Sequence, residues 1–452
     1  MKQRGSKLLG LTAVIIGSAV VIIDGMVVNL ALPKIAAEFH TDFSALQWIT
    51  DGYMLSLSGL ILLGGSLGDI FGRKKIYLLG VVGFALTSLL CAVSPSANFL
   101  IIARVLQGIT GALMVPGALA IINTMFETSA RGKAIGRWTA WSSAAIVLAP
   151  VVGGTILALA SWRWIFLINV PLAFICYVLA SKNITESKDD EPRHFDVPGA
   201  VLVSLALAGV TYGLIEGPAH GWNAVTLTCS TGGVALAVLF VFWQKRSRDP
   251  MVPLGLFRSR NFSGSNIMTF LMYGALSGYS FSLSLYLQTH LHYSALVAGL
   301  TMLPSSLIMI SFSSKVGELA AKYGARLFMT VGPLLAGASI LLFLPLAPGD
   351  SYVWHVLPGT ILFGIGLTLM VAPLTTTVMT SVSDRQSGTA SGINNAVSRV
   401  AGLIIIASLG FAGANSTFQF AMLLCFFLAT ASGVISFVMI RSPKKHHAVA
   451  HD

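Results

Sequence analysis

Apolar runs of about 20 residues recur along the whole of this 452-residue chain, each separated from the next by a short polar or glycine-containing break. Twenty helical residues rise roughly 30 Å, the thickness of a bilayer's hydrocarbon core. The runs cover 8–31, 45–66, 76–94, 98–122, 135–158, 163–181, 197–216, 224–243, 264–288, 295–315, 326–346, 354–377, 391–413 and 418–440. They predict an all-α integral membrane protein of about fourteen transmembrane helices. The longest polar interruptions, Lys182 to Asp196 and Gln244 to Asn261, bracket the seventh and eighth runs. Taking that pair out leaves six helices on either side. The expected divisions are therefore a six-helix bundle over 1–182, two additional helices with their linkers over 183–261, a second bundle over 262–441, and a tail over 442–452.

The two six-helix parts echo one another. Gly65-Ser-Leu67 leading to Gly72-Arg73 is matched by Gly317-Glu-Leu319 leading to Gly324-Ala325-Arg326, each between the second and third helix of its half. Leu113-Met114-Val115-Pro116 and Met370-Val371-Ala372-Pro373 fall in the two fourth helices. Repeats related by an axis along the membrane normal are the architecture of transporters that rock around a central site.

Composition agrees: 55% of residues are hydrophobic and 10% charged, against roughly 25% charged in a soluble domain. The net charge of +11 raises the question of nucleic acid, and its distribution answers it. About 24 of the 28 Lys and Arg fall on one side, Lys34 and Arg163 on the other, and Arg104 and Arg399 within the membrane. This positive-inside pattern predicts two cytoplasmic termini, and anionic lipid headgroups rather than nucleic acid as counter-charge. The apolar run after Lys7 continues to about Ala31 with no cleavage site, so it reads as the first membrane helix. Cys91, Cys176, Cys229 and Cys425 are far apart in apolar runs, which predicts neither a disulfide framework nor a metal site. The chain has no HExxH and no Walker loop, so an enzyme and an ATP-driven pump are both disfavoured.

Polar groups inside the apolar runs carry the candidate chemistry. Asp24 lies deep in the first run, where a carboxylate costs several kcal/mol unless paired, hydrated or protonated. Asp51 sits in the second run beside Trp48 and Tyr53 and offers a charge to a cationic ligand with aromatic help; a hydrated residue at a cavity mouth is the alternative. Arg104 cannot be neutralised and needs an acceptor in the bundle. Arg399, with Asn394 and Asn395 a turn earlier, poses the same problem without naming a partner. Trp138, Trp141 and Tyr273 are candidates to line a broad apolar cavity, although most such aromatics simply pack or face lipid.

Gly65 to Lys74 resembles the helix 2–3 loop motif of the major facilitator superfamily, and Arg104-Val-Leu-Gln107-Gly108 with Gly111-Ala112 its fourth-helix motif. Asp24-Gly-Met-Val-Val-Asn29-Leu-Ala-Leu-Pro33, Trp48-Ile-Thr-Asp51, Trp162-Arg163-Trp164 to Asn169-Val-Pro171, and Ser391-Gly392-Ile-Asn394-Asn395 are similar to the fourteen-helix drug:proton antiporter branch, the EmrB/QacA-like exporters. The resemblance implies a major facilitator fold and proton-coupled export of amphipathic, cationic drugs by a monomer in a bacterial cytoplasmic membrane, with protons as coupling ion and no other cofactor. It implies that Arg104 pairs with Asp24 beside Gln107, with Asp24, Arg104 and Asp51 coupling protons and Asp24, Asp51 and Gln107 meeting substrate. It further implies that Asp69 and Arg73, with Gly65 and Gly72, form a cytoplasmic latch toward Gly388 to Gly392; Glu127 and Arg131 are candidates to join this charge cluster, with solvated loop charges as the alternative. The fifth helix departs from the pattern: antiporters of this superfamily usually carry a Gly-Pro pair with a further upstream glycine, and this chain has Ala145, Ala149, Pro150, Gly153 and Gly154. Pro150 still predicts a bend. Export of one metabolite, antibiotic or lipid on the same fold, or symport or uniport, stays open.

Overall fold

A computed structural model describes residues 2–188, 196–383, 386–412 and 417–441. The expected tail, 442–452, and the linker segment 189–195 lie outside the described residues. The rest is helical: α1 Lys2–Phe39, α2 Phe43–Phe71, α3 Arg73–Ala92, α4 Ala97–Met125, α5 Thr128–Leu159, α6 Trp164–Leu167, α7 Asn169–Asn183, α8 Val197–His220, α9 Ala224–Arg246, α10 Arg260–Thr289, α11 Ala295–Leu300, α12 Leu303–Tyr323, α13 Ala325–Leu341, α14 Leu357–Thr380, α15 Ser387–Ser408 and α16 Thr417–Met439. The short α6 and α11 continue almost directly into α7 and α12, so each pair makes one span.

Among the described residues twelve spans are long and apolar enough to cross a membrane, and α13 is a shorter apolar helix. The sequence pattern predicts about fourteen. The remaining long helix, α10, has 30 residues but dilutes its apolar content with Ser265, Asn266, Thr269, Gly274, Gly278 and Ser282, all buried against neighbours. Polar residues that face protein lower a helix's hydropathy without exposing polar surface to lipid.

The repeat legible in the sequence has a backbone counterpart. Gly72 closes α2 and opens α3 at φ +111°, and Gly324 does the same between α12 and α13 at φ +97°, a region open to glycine and strained for other residues. Two residues beyond each glycine, a cation reaches the carboxyl end of its half's last helix. Lys74 Nζ donates to Ser181 O at 2.7 Å, and Arg326 Nε to Phe437 O at 2.8 Å. Each offsets the negative pole of a helix dipole.

The two ends of the molecule pack differently. Call the basic end that of Arg73, Lys74, Lys75, Lys245 and Arg326, and the far end that of Lys34 and Arg163. At the far end the halves meet directly. Gln47 Nε2 on α2 donates to Ile406 O and Ala407 O on α15 at 2.5 and 3.1 Å, Ser284 Oγ on α10 to Asn29 O on α1 at 3.3 Å, and the Phe43 and Phe281 rings stand edge to face at 5.9 Å. One apolar core there runs unbroken from Val27, Leu46 and Phe166 into Met272, Tyr279 and Phe363 of the second half. Toward the basic end the first half keeps a separate core around Leu11, Tyr77, Phe84 and Ile121.

The hairpin α8–α9 packs on α2 and reaches α15. Trp48 Nε1 donates to Glu216 Oε1 at 2.6 Å, and a Cβ at Gly59 would stand 2.7 Å from Ser204 Oγ. Asp196 caps α8 through Gly199 N and also accepts from Trp243 Nε1 and Gln244 Nε2, at 2.9, 2.6 and 2.6 Å. Burial alone would raise its pKa. The hydrogen bonds from Trp243, Gln244, Gly199 and Met251 outweigh that and hold the carboxyl below its usual range.

Candidate functional site

Five spans of the first half converge on one carboxylate. Asp24 sits midway along α1, where its apolar neighbours bury it to 2% exposure. Arg104 Nη1 on α4 contacts Asp24 Oδ2 at 2.5 Å, and Asp24 Oδ1 accepts from Gln107 Nε2 at 3.1 Å and from Asn169 Nδ2 on α7 at 2.8 Å. Gln107 in turn takes a hydrogen bond from Arg104 Nη1 at 2.6 Å and gives one to Ser88 Oγ on α3 at 2.9 Å. Arg104 Nε donates to Ile49 O on α2 at 3.2 Å, and the guanidinium lies 4.2 Å from the centroid of the Tyr53 ring. Every charge is paired and hydrogen-bonded, the condition under which a buried ion pair persists. The carboxylate is sealed within its own half.

Asp51 has the opposite environment. Its residue is fully buried, and among the described residues neither carboxylate oxygen has a hydrogen-bond partner. On α2 it falls between Gln47, which bonds α15, and Met54, whose sulfur lies 3.7 Å from where a Cβ of Gly402 on α15 would be. That places it on the stripe of α2 that faces the other half. A buried carboxylate with nothing to accept from is a reservoir of binding energy for a cation, a donor or a proton.

A cavity of about 580 Å³ separates the halves at the basic end, lined by Leu62 and Asp69 of α2, Arg73 of α3, Pro116 of α4, Asp249 of the linker and Thr389 of α15. Asp69 Oδ1 holds Arg73 Nε and Nη2 at 2.8 and 2.7 Å. Gly388 and Gly392 lie across the same cavity, and among the described residues Asp69 accepts from Arg73 alone. Gly65 packs on Pro116, with 3.4 Å left for a Cβ. Glu127 and Arg131 form no ion pair among the described residues; Glu127 is exposed at the start of α5, and Arg131 Nε is buried without a partner.

The fifth-helix residues mark where the halves touch. A Cβ on Gly154 would lie 2.6 Å from Leu296 Cα, and one on Gly299 would lie 2.6 Å from Pro150 O. Gly153 packs against Val27 of α1. Small residues here let α5 and α11 approach backbone to backbone. Of the aromatic candidates, Trp138 donates to Ser18 Oγ at 2.9 Å, Trp141 is 59% exposed, and Tyr273 packs half-buried on the second-half core. None of the three lines the cavity.

Some contributors carry little signal in the sequence. Ser88 is a lone serine in an apolar helix, and Asn169 is one residue of a motif that says nothing of its contact with Asp24. Glu186 lies in a polar linker, yet its carboxylate accepts from the backbone N–H groups of Lys74 and Lys75 at 3.0 and 3.1 Å, capping α3. Only the uncapped first turn of α3 hints that an acid is needed there.

Comparison with known proteins places this geometry. The chain is 31% identical to the puromycin resistance protein pur8 of Streptomyces alboniger over 90% of its own length and 82% of that protein's. It is 32% identical to the tetracenomycin C resistance and export protein of Streptomyces glaucescens, covering 90% and 76%, and 31% identical to the methylenomycin A resistance protein of Bacillus subtilis, covering 90% and 88%. In fold it is similar to a crystal structure of a POT family transporter in complex with thioalcohol-conjugated peptide, with a TM-score of 0.73, 15% identity and 95% of each chain covered. Residues 14–406 match the model of the Major Facilitator Superfamily. With the repeated halves, the inter-half cavity and the buried carboxylates, these matches establish that the chain belongs to the Major Facilitator Superfamily and is a transporter, not an enzyme.

Proposed function

We propose that the protein is a proton-coupled antiporter that exports amphipathic, predominantly cationic drugs from a bacterial cytoplasm. The observation that carries this reading is the contrast between the two membrane carboxylates, Asp24 locked to Arg104 and Asp51 bare in the seam between halves. A cation and a proton competing for Asp51 would give exchange without further machinery. Asp24 would follow by loosening from Arg104 when protonated, which links charge to the packing of five spans. Relatives named for antibiotic resistance and export support the class of cargo. The intact fit of α5 on α11 supports antiport despite the altered fifth-helix pattern, since the small residues still serve a close inter-half contact.

In this reading α10 and α13 complete fourteen spans, as in the EmrB/QacA-like branch, and the monomer lies in the inner membrane. The basic end is cytoplasmic with both termini, so the conformer described is inward-facing, with the far end shut and the cavity opening to the cytoplasm. Asp69 and Arg73 form the latch in its released state. Purified protein in liposomes tests the reading. An imposed pH gradient is expected to drive accumulation of a cationic dye, and Asp51→Asn is expected to abolish the pH dependence. Accumulation in Asp51→Asn that responds to the gradient as before overturns it.

A further inference from the structure

Arg399 is a guanidinium in the middle of α15 with no hydrogen bond and no ion pair among the described residues. Among the described residues Tyr53 is a titratable side chain near enough to act on it, and it carries no charge at neutral pH. Its position is bracketed by contacts between α15 and α2, which run antiparallel. Gly392 faces Leu62, Gly402 faces Met54, and the carbonyl groups of Ile406 and Ala407 take the Gln47 amide. Residue 399 falls between the first two, on the same face as 392 and 406, and so looks across the seam toward Ser58. The Ser58 hydroxyl is also buried without a partner. Arg399, Ser58 and Asp51 thus line one inter-half seam, all unpaired among the described residues.

An arginine at this depth is costly unless an anion meets it. Among the described residues the chain offers none. The carboxylates at comparable depth are Asp24, engaged by Arg104, Gln107 and Asn169, and Asp51, about two turns nearer the far end than Ser58, roughly 10 Å along the axis. Helical side chains lean toward their own amino terminus. Asp51 therefore leans to the far end and Arg399 to the basic end, away from one another. Opening the far end would part α2 from α15 at Gln47 and widen that gap.

We propose that Arg399 receives an anionic oxygen of the cargo, a carboxylate, enolate or phenolate, while Asp51 receives the cationic or donor end, so that the seam selects amphoteric compounds over simple cations. This rests on the export reading above and narrows it. Arg399 is then the specificity-determining residue of the second half. Its fork matches two oxygens or an oxygen and a neighbouring acceptor, which a lysine does not reproduce.

Two dyes that differ in one group test it: zwitterionic tetramethylrhodamine acid and its cationic methyl ester, each measured for binding to detergent-purified full-length protein and for transport in liposomes. The unmodified protein is expected to bind the acid more tightly. Arg399→Gln is expected to weaken the acid by about 10–100-fold while leaving the ester within about threefold, and Arg399→Lys to fall between. Equal weakening of both dyes, or no preference for the acid in the unmodified protein, overturns the proposal while the export reading stands. Recovery of Arg399→Gln stability on adding Asp51→Asn would mean that the two residues pair in another conformer, and would overturn it as well. Failure of the unmodified protein to move either dye overturns the export reading and this inference together.

Discussion

Asp24 and Arg104 together satisfy what neither satisfies alone. The pair is 0% and 1% exposed at its side chains, and Gln107 and Asn169 occupy the carboxylate oxygen that Arg104 leaves. Removing one member strands the other, at a cost of about 3–5 kcal/mol. Asp24→Asn is therefore expected to lower thermal stability in detergent sharply, and Asp24→Asn with Arg104→Gln to recover most of it without recovering transport. A double variant no more stable than the single one would mean that Arg104 has another acceptor. The sequence makes this pair legible because two charges in apolar helices must be answered. It leaves Asn169 and Ser88 illegible, because a neutral side chain in a helix creates no such demand. Asp51 marks the limit from the other side: its depth can be read from its position in the second apolar run, but its lack of any partner depends on how α15 lies across α2.

Among the elements, the two legs of the hairpin α8–α9 are joined to one another and to the linker beyond by one carboxylate at the root. Asp196 gathers Gly199 N, Trp243 Nε1, Gln244 Nε2 and, at 3.4 Å, Met251 N, so it joins the start of α8 to the end of α9 and the linker beyond. Its pKa is lowered from 3.8 in the folded protein. The contribution to stability is then complete above the unfolded carboxylate's pKa, near 4, and is lost as the pH falls through the lower folded value. Protection of residues 243–252 against hydrogen exchange, taken relative to the intrinsic rate at each pH, is expected to stay high from pH 7 to about 5 and to fall below about pH 4. Asp196→Asn is expected to exchange fast throughout, with a loss of about 2 kcal/mol. Indifference of this segment to both changes would remove Asp196 as its anchor. Element boundaries were largely legible, since apolar runs and glycine breaks mark them. The helices extend past the apolar runs where end charges find partners. Glu38, on the last turn of α1, pairs with Arg163 at 2.6 Å, and Lys34 donates to Leu157 O at the carboxyl end of α5.

For the whole molecule the decisive asymmetry is that one apolar core crosses between the halves at the far end, while a cavity parts them at the basic end. The weak sequence echo located the repeat, because glycines with positive φ and cations at helix ends are imposed locally. Which end is shut is not a local property and was not legible. It depends on the fit of Gly154 to Leu296, Gly299 to Pro150, and Gln47 to the Ile406 and Ala407 carbonyls. A transporter that alternates must break these contacts and close the cavity in each cycle. Cross-linking isolates that step. The native cysteines, buried at Cys91, Cys176 and Cys425 and half-buried at Cys229, would first be replaced with serine or alanine. Gln47→Cys with Ala407→Cys, joined by a short bifunctional thiol reagent, is expected to stop transport while a cysteine at the cavity-lining Thr389 stays open to a membrane-impermeant maleimide added at the basic end. The same maleimide is expected to label Thr389→Cys progressively less in the uncross-linked protein as Gly154→Leu forces α5 from α11 and favours the opposite conformer. Full transport by the cross-linked protein would show that the far-end contacts survive the cycle, and the two halves would then not rock about this seam.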